Sequence, residues 1–210
     1  AECADLLADD TKQQIAAYQK NFKFRNAFLI EELDRIATSL HEAGIPAIAL
    51  KGPVLAKHAY GDVNRRRYGD IDLFIPRDKL TSLSDVLAEH KYAPYPMIQE
   101  FGAWKRKLWL FMYGQVPFTR GNGLFNVDVH TKLMPLGYPL PTDFAPYWGR
   151  AEPTDIGTSN TPIYRFAPED LLLILCYHGL KNQWKALKYI CDVVQLIEQE
   201  DSLDWTAVWR

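Results

Sequence analysis

The run Gly69-Asp70-Ile71-Asp72-Leu73-Phe74 constrains this chain more than any other six residues in it. Its alternation is that of a strand, with Ile71, Leu73 and Ile75 on one face and Asp70, Asp72 and Phe74 on the other. Two carboxylates at i and i+2 then share a face with their Cβ atoms about 7 Å apart. Like charges so placed repel, and a fold that keeps them there usually supplies a cation. Oxygen ligands on a rigid strand suit Mg²⁺ or Mn²⁺ rather than zinc. A solvent-facing strand of alternating polarity would carry the same two residues, so the rest of the chain has to decide.

A third carboxylate shifts the balance. Asp128 lies in Asn126-Val127-Asp128-Val129-His130, entered from the hairpin turn Gly121-Asn122-Gly123, and alternation puts Asn126, Asp128 and His130 on one face. If this strand neighbours the first, three carboxylates converge. Two metal ions could then be bridged, one holding a triphosphate and the other activating an acceptor hydroxyl. The plainer reading makes Asp128 a lone charge near a hairpin end and His130 a hydrogen-bonded residue of the sheet edge. Upstream, Leu50-Lys51-Gly52 closes a buried strand and opens a helix, where glycine lets backbone approach a phosphate and Lys51 adds a point charge. Arg65-Arg66-Arg67 is either a solvated turn or a means of aiming one guanidinium, with Arg66 preferred, at a phosphate or at the carboxylates.

The spacing of Ile15, Tyr18, Phe22, Leu29, Leu33, Ile36 and Leu40 predicts a long helix, or two, over 11–43. Strands are expected at 45–50 and 70–75, with a helix at 54–60 between them and another to about residue 90, capped by Asp78. Residues 108–119 look extended and pair through the hairpin turn with 125–130. Helices follow at 167–179 and 184–199, beyond a proline-rich stretch at 135–146. The expected fold is α+β: a small mixed β-sheet with helices packed on one side, plus N-terminal and C-terminal helical segments. We divide it as residues 1–44, N-terminal helical; 45–134, the catalytic core; and 135–210, a proline-rich connection and C-terminal helical region.

Composition sets outer limits. With 48% hydrophobic and 24% charged residues among 210, the chain is an ordinary globular one, able to bury a core without disulfides. Its net charge of −2 excludes a body-wide polyanion-binding surface. Trp104-Lys105-Arg106-Lys107-Leu108-Trp109 therefore reads better as a strand with a basic, aggregation-resistant edge than as a nucleic-acid platform. Three cysteines without a Cys-x-x-Cys pair fit a reducing compartment, no apolar run is long enough to span a bilayer, and the polar start shows no signal peptide, so a cytoplasmic location is expected. The abrupt stop after Trp209 suggests a piece of something longer.

Taken together, Leu50-Lys51-Gly52, Tyr60-Gly61, Arg66-Arg67-Tyr68-Gly69-Asp70-Ile71-Asp72-Leu73 and Val127-Asp128-Val129-His130 resemble the uncharacterised nucleotidyltransferase family of the DNA polymerase β-like superfamily. Pro168-Glu169-Asp170-Leu171-Leu172, Cys176-Tyr177-His178-Gly179, Lys181, Trp184, Leu187 and Asp192 look like that family's helical segment, so the resemblance covers about residues 33–200. It implies a nucleotidyltransferase-like fold and metal-dependent transfer of an NMP group from an NTP to an acceptor hydroxyl, with release of pyrophosphate. Asp70 and Asp72 would bind both metals (Mg²⁺ or Mn²⁺). Asp128 would complete the catalytic site, and Lys51 and Gly52 would hold the β- and γ-phosphates. Arg66 and Lys181 are further nucleotide-binding candidates, with His130 and His178 as accessory residues. His178, Lys181 and Trp184 could meet the base or the acceptor; for Trp184 a core role reads better. Asp192, on an apolar helix face, is expected to pair with an arginine or a helix N-terminus. The chain departs from the family pattern at Pro53, where a serine hydroxyl is common, and at Thr131 and Asn182, where tryptophan and histidine are frequent. The acceptor, whether a small molecule, a peptide or protein, or an RNA end, leaves no mark in the sequence. The loss of the serine keeps a second reading open, a catalytically inactive nucleotide-binding or scaffold module, and a third is phosphoester hydrolysis with His130 handling water.

Overall fold

The computed structural model describes residues 8–134, 143–156 and 159–209. Cys3, residues 135–142 of the proline-rich stretch and Arg210 lie outside the described residues. The first element is α1 (Asp9–Glu42), one unbroken helix where the apolar spacing allowed one or two. Only its second half meets the core: Leu29, Leu33, Ile36 and Leu40 are buried, whereas Ile15 and Tyr18 on the same stripe are 41% and 56% exposed. The periodicity continues past the sheet that would cover it.

The strands are β1 (Ile48–Ala49), β2 (Ile71–Phe74), β3 (Ala93–Pro94), β4 (Gln115–Arg120), β5 (Phe125–His130), β6 (Glu152–Thr154) and β7 (Ile163–Arg165). Among the described residues they form one mixed sheet in the order β3-β4-β5-β2-β1-β7-β6. β2 runs parallel to β5 and antiparallel to β1. β4 and β5 make the expected hairpin. The remaining helices are α2 (Gly52–Tyr60), α3 (Leu80–Glu89), α4 (Pro96–Gln99), α5 (Ala103–Tyr113), α6 (Phe144–Trp148), α7 (Pro168–Lys181), α8 (Leu187–Gln199) and α9 (Trp205–Val208).

Helices cover both faces of the sheet, not one. On the first face Ile71, Leu73, Val127 and Val129 pack with Leu33 and Ile36 of α1 and Leu83 and Leu87 of α3. On the second, Ile48, Leu50 and Phe74 meet Leu171, Ile174 and Leu175 of α7, with Tyr147 of α6 and Leu196 of α8. The cause is visible in β2, whose polar face ends in Phe74. That ring, fully buried against Phe144, Tyr147 and Phe166, contributes about 1.5–3 kcal/mol and draws the C-terminal helices onto the sheet.

Three further expectations are corrected. Residues 103–113 are helical, not extended. The run of good helix formers ends at Gly114, whose φ of 62° supplies a left-handed stop. The Trp104–Trp109 motif is thus a helix with exposed lysines rather than a basic strand edge. Residues 152–154 and 163–165, expected in a helical region, supply β6 and β7 because β1 offers an open edge that β7 joins in parallel. The helix after β2 starts at Leu80, behind a 3-10 turn at Arg77–Lys79, and Asp78 forms no side-chain cap.

Candidate active site

The site sits on the second sheet face, in a cavity between β2, β5 and the C-terminal end of α7. Register decides its composition. Asp72 pairs directly across from Asp128, and Phe74 from His130, so Asp72, Asp128 and His130 share that face. One ligand atom from each of these three residues lies within 4.8 Å of the others. Asp70, one residue before β2, lines the same cavity of about 170 Å³, together with Lys51, His178, Lys181, Asn182, Gln115 and Tyr113.

Lys51 is aimed by the β1–α2 turn. Leu50 N donates to Asp72 O across the strand pair, and the chain then turns at Gly52 with φ of 59°. A Cβ at Gly52 would stand 3.3 Å from the Asp70 carbonyl, so glycine satisfies both the dihedral and the close approach. Lys51 Nζ lies 3.4 Å from Asp72 Oδ1 and donates across 3.4 Å to His178 Nε2. His130 Nε2 is 3.1 Å from the same Asp72 oxygen; a carboxylate can only accept, so this nitrogen carries the proton. Gln115 Nε2 donates to Asp128 Oδ2 over 2.9 Å.

These contacts split the carboxylates electrostatically. Burial works to raise Asp72, yet Lys51 and His130 hold it well below the usual carboxylate range. Asp128 is pushed up to about 6, first by burial and then by the Asp72 charge. Asp70 is raised for the same two reasons. On the opposite wall burial and the Lys51 ammonium pull His178 down to about 3, and the same pair lowers Lys181. The cavity therefore sets a neutral imidazole and two crowded lysines against three carboxylates, two of which are raised above the usual carboxylate range.

Arg66 lies behind this cavity. Its Nε and Nη2 donate to Asp192 Oδ1 and Oδ2 at 2.7 and 2.9 Å, and Tyr60 OH donates to the same carboxylate at 2.7 Å. Arg67 turns to Tyr18 on α1, and Arg65 is exposed. Trp184 packs its ring on Gly179 and stays 38% exposed. Gln115 escaped the sequence reading: a glutamine at the start of a strand carries no signal until the register with β5 sets it diagonal to Asp128.

A lysine at a strand–glycine–helix turn, facing carboxylates on two neighbouring strands of a mixed sheet, defines the nucleotidyltransferase fold class. The chain belongs to the uncharacterised nucleotidyltransferase family, whose model matches residues 1–210. No curated protein sequence matches the chain. Solved structures with this fold include the solution structure of the antibiotic-resistance factor ANT(2'')-Ia, at 14% identity, TM-score 0.56, and 88% of this chain on 89% of that one. The crystal structure of ANT(2'')-Ia in complex with adenylyl-2''-tobramycin is similar at 14% identity and TM-score 0.55, over 81% of this chain and 88% of that one. An antigenic nucleotidyltransferase-like protein from Paracoccidioides brasiliensis is similar at 17% identity and TM-score 0.50, over 81% and 75% of the two chains. Among the described residues, no helix is long and apolar enough to cross a membrane.

Proposed function

We propose that this protein moves a nucleotidyl group from a nucleoside triphosphate to an acceptor hydroxyl and releases pyrophosphate. The observation that carries the reading is the in-register pairing of Asp72 with Asp128, which gathers two carboxylates and His130 within 4.8 Å opposite Lys51. The donor set fits a hard divalent cation, Mg²⁺ or Mn²⁺, held by Asp72 and Asp128 with Asp70 beside them. The raised Asp70 and Asp128 carboxyls are the mark of a cluster short of positive charge. When bound, such a cation neutralises the triphosphate and lowers the pKa of the acceptor hydroxyl.

The protein's own residues do the rest. Lys51, the backbone at Gly52 and Lys181 bind the β- and γ-phosphates, and His178, neutral beside Lys51, keeps that ammonium pointed into the cavity. Asp128 takes the acceptor's proton as the oxygen bonds to the α-phosphorus; the bond to the β-phosphate oxygen breaks, and pyrophosphate leaves with its electron pair. A carboxylate raised towards neutrality is the better base for that proton. His130 fixes Asp72, and Arg66, gripped by Asp192, orders the loop that delivers Asp70. The neighbour that holds adenylyl-2''-tobramycin supports a reading in which the adenylyl group of ATP ends on an acceptor hydroxyl. An NTP donor and free thiols at Cys176 and Cys191 favour the cytoplasm.

Calorimetric titration with ATP tests this reading. Binding that requires Mg²⁺ and vanishes in Asp70→Ala is expected, and binding indifferent to both would refute it. Labelled ATP with cell extract then separates transfer from a silent nucleotide-binding module: a nucleotidylated product that is lost in Asp70→Ala supports the enzyme.

A further inference from the structure

We propose that Gln115 is the positioning residue for Asp128, committing one carboxylate oxygen so that the other faces the cation and the acceptor. The inference rests on the role of Asp128 proposed above. Gln115 Nε2 donates to Asp128 Oδ2, and among the described residues no hydrogen bond reaches Oδ1. The two oxygens are thereby made unequal.

The backbone that carries Gln115 is fixed from several sides. Gly114 ends α5 in the left-handed region, and its carbonyl accepts from both Thr131 N at 2.6 Å and Thr131 Oγ1 at 3.1 Å. Trp109 Nε1 donates to Gln115 O at 2.7 Å. A Cβ at position 114 would lie 2.5 Å from Lys132 Cβ, so the corner admits no larger residue without a shift. Thr131 follows directly on β5, so the segment bearing Asp128 itself anchors the residue that holds Asp128. Trp109 is in turn seated between Phe101 and Tyr113.

The chemistry of the side chain fits the task. An amide N–H donates without adding charge and does not titrate, so it orients this half-buried carboxylate while leaving its full negative charge for a metal ion. A lysine or arginine in the same place would satisfy Asp128 by itself and compete with the cation. Groups that orient a metal ligand in this way are worth about 10–100-fold in metal affinity or activity.

The test measures Mn²⁺ binding alone, by the electron paramagnetic resonance of the free ion, on the full chain at one pH. Gln115→Met keeps the length and removes the donor; we expect Mn²⁺ affinity to fall about 10–100-fold. Thr119→Val, on the same face of β4 but away from Asp128, should leave affinity unchanged. Trp109→Phe keeps an aromatic ring and removes the N–H that fixes Gln115, and should give a smaller loss. Thermal melts check folding, and Trp109→Phe carries the test if Gln115→Met melts early. Wild-type affinity in both variants, with Asp128→Asn impaired, overturns the inference and leaves the role of Asp128 intact. Wild-type affinity in Asp128→Asn overturns the role of Asp128 itself.

Discussion

Asp72 and Asp128 are the same residue type on adjacent strands in direct register, yet their surroundings drive them apart. Lys51 and His130 converge on Asp72, while Asp128 has a neutral amide and two acidic neighbours. Asp128→Asn, which keeps the shape and removes the base, is expected to lower kcat about 10²–10⁴-fold with little effect on stability, measured by single-turnover transfer and thermal melting. Away from the carboxylates, a glycine governs the α7–α8 turn. Trp184 adopts φ of 51°, an uncommon conformation for a bulky residue, and its ring occupies the space that a Cβ on Gly179 would need, 2.4 Å from the nearest ring atom. Gly179→Ala should destabilise the protein by about 1–3 kcal/mol in urea denaturation; an unchanged midpoint would show that the indole moves freely. Asp70, Asp72 and Asp128 were legible as residues because alternation marks faces. Gln115 was not, because its contact arises between strands and not along one.

Elements were legible where a stripe or an alternation matched a single neighbour. α1, β2 and the β4–β5 hairpin follow directly from spacing and turn residues. α5 did not, since Trp109, Leu110 and Phe111 fit a buried strand as well as a helix, and the left-handed stop at Gly114 marks where the helix ends. β6 and β7 are three residues each and exist because β1 has an open side. The C-terminal helices are tied to the core by an ion pair whose partners lie 126 residues apart in the chain. The expected pairing of Asp192 with an arginine is found, and the arginine is Arg66. With Asp192 buried, its removal strands a guanidinium, and Asp192→Ala should cost about 3–5 kcal/mol in chemical denaturation. The double variant Arg66→Met/Asp192→Leu should recover most of that loss, because apolar packing replaces a desolvated pair with little penalty. If the double variant is no more stable than Asp192→Ala, the cost lies elsewhere than in the orphaned charge.

Over the whole molecule, the acid response should follow the half-buried His58. His58, bonded through Nε2 to Thr154 Oγ1 and set against Arg165, has its pKa lowered from 6.5 to about 4, chiefly by burial. The folded state thus disfavours its charged form. Stability present above about pH 6.5 is lost as the pH falls through about 4, since the unfolded chain takes up the proton first. Urea midpoints should decline over that window, and His58→Gln, which can still bond Thr154 but cannot charge, should flatten the decline. The sequence by itself determined the local chemistry: which strands carry carboxylates, where a lysine meets a helix start, and that the mixture of short strands and amphipathic helices is α+β. Those properties depend on periods of two and 3.6 residues, which are written along the chain. Only the tertiary structure decided the register of β2 on β5, the helices on both sheet faces, and the partners of Arg66 and Asp128. Each of these depends on which distant segments share a face, and hydrogen-bond geometry and burial settle that only once the sheet has assembled.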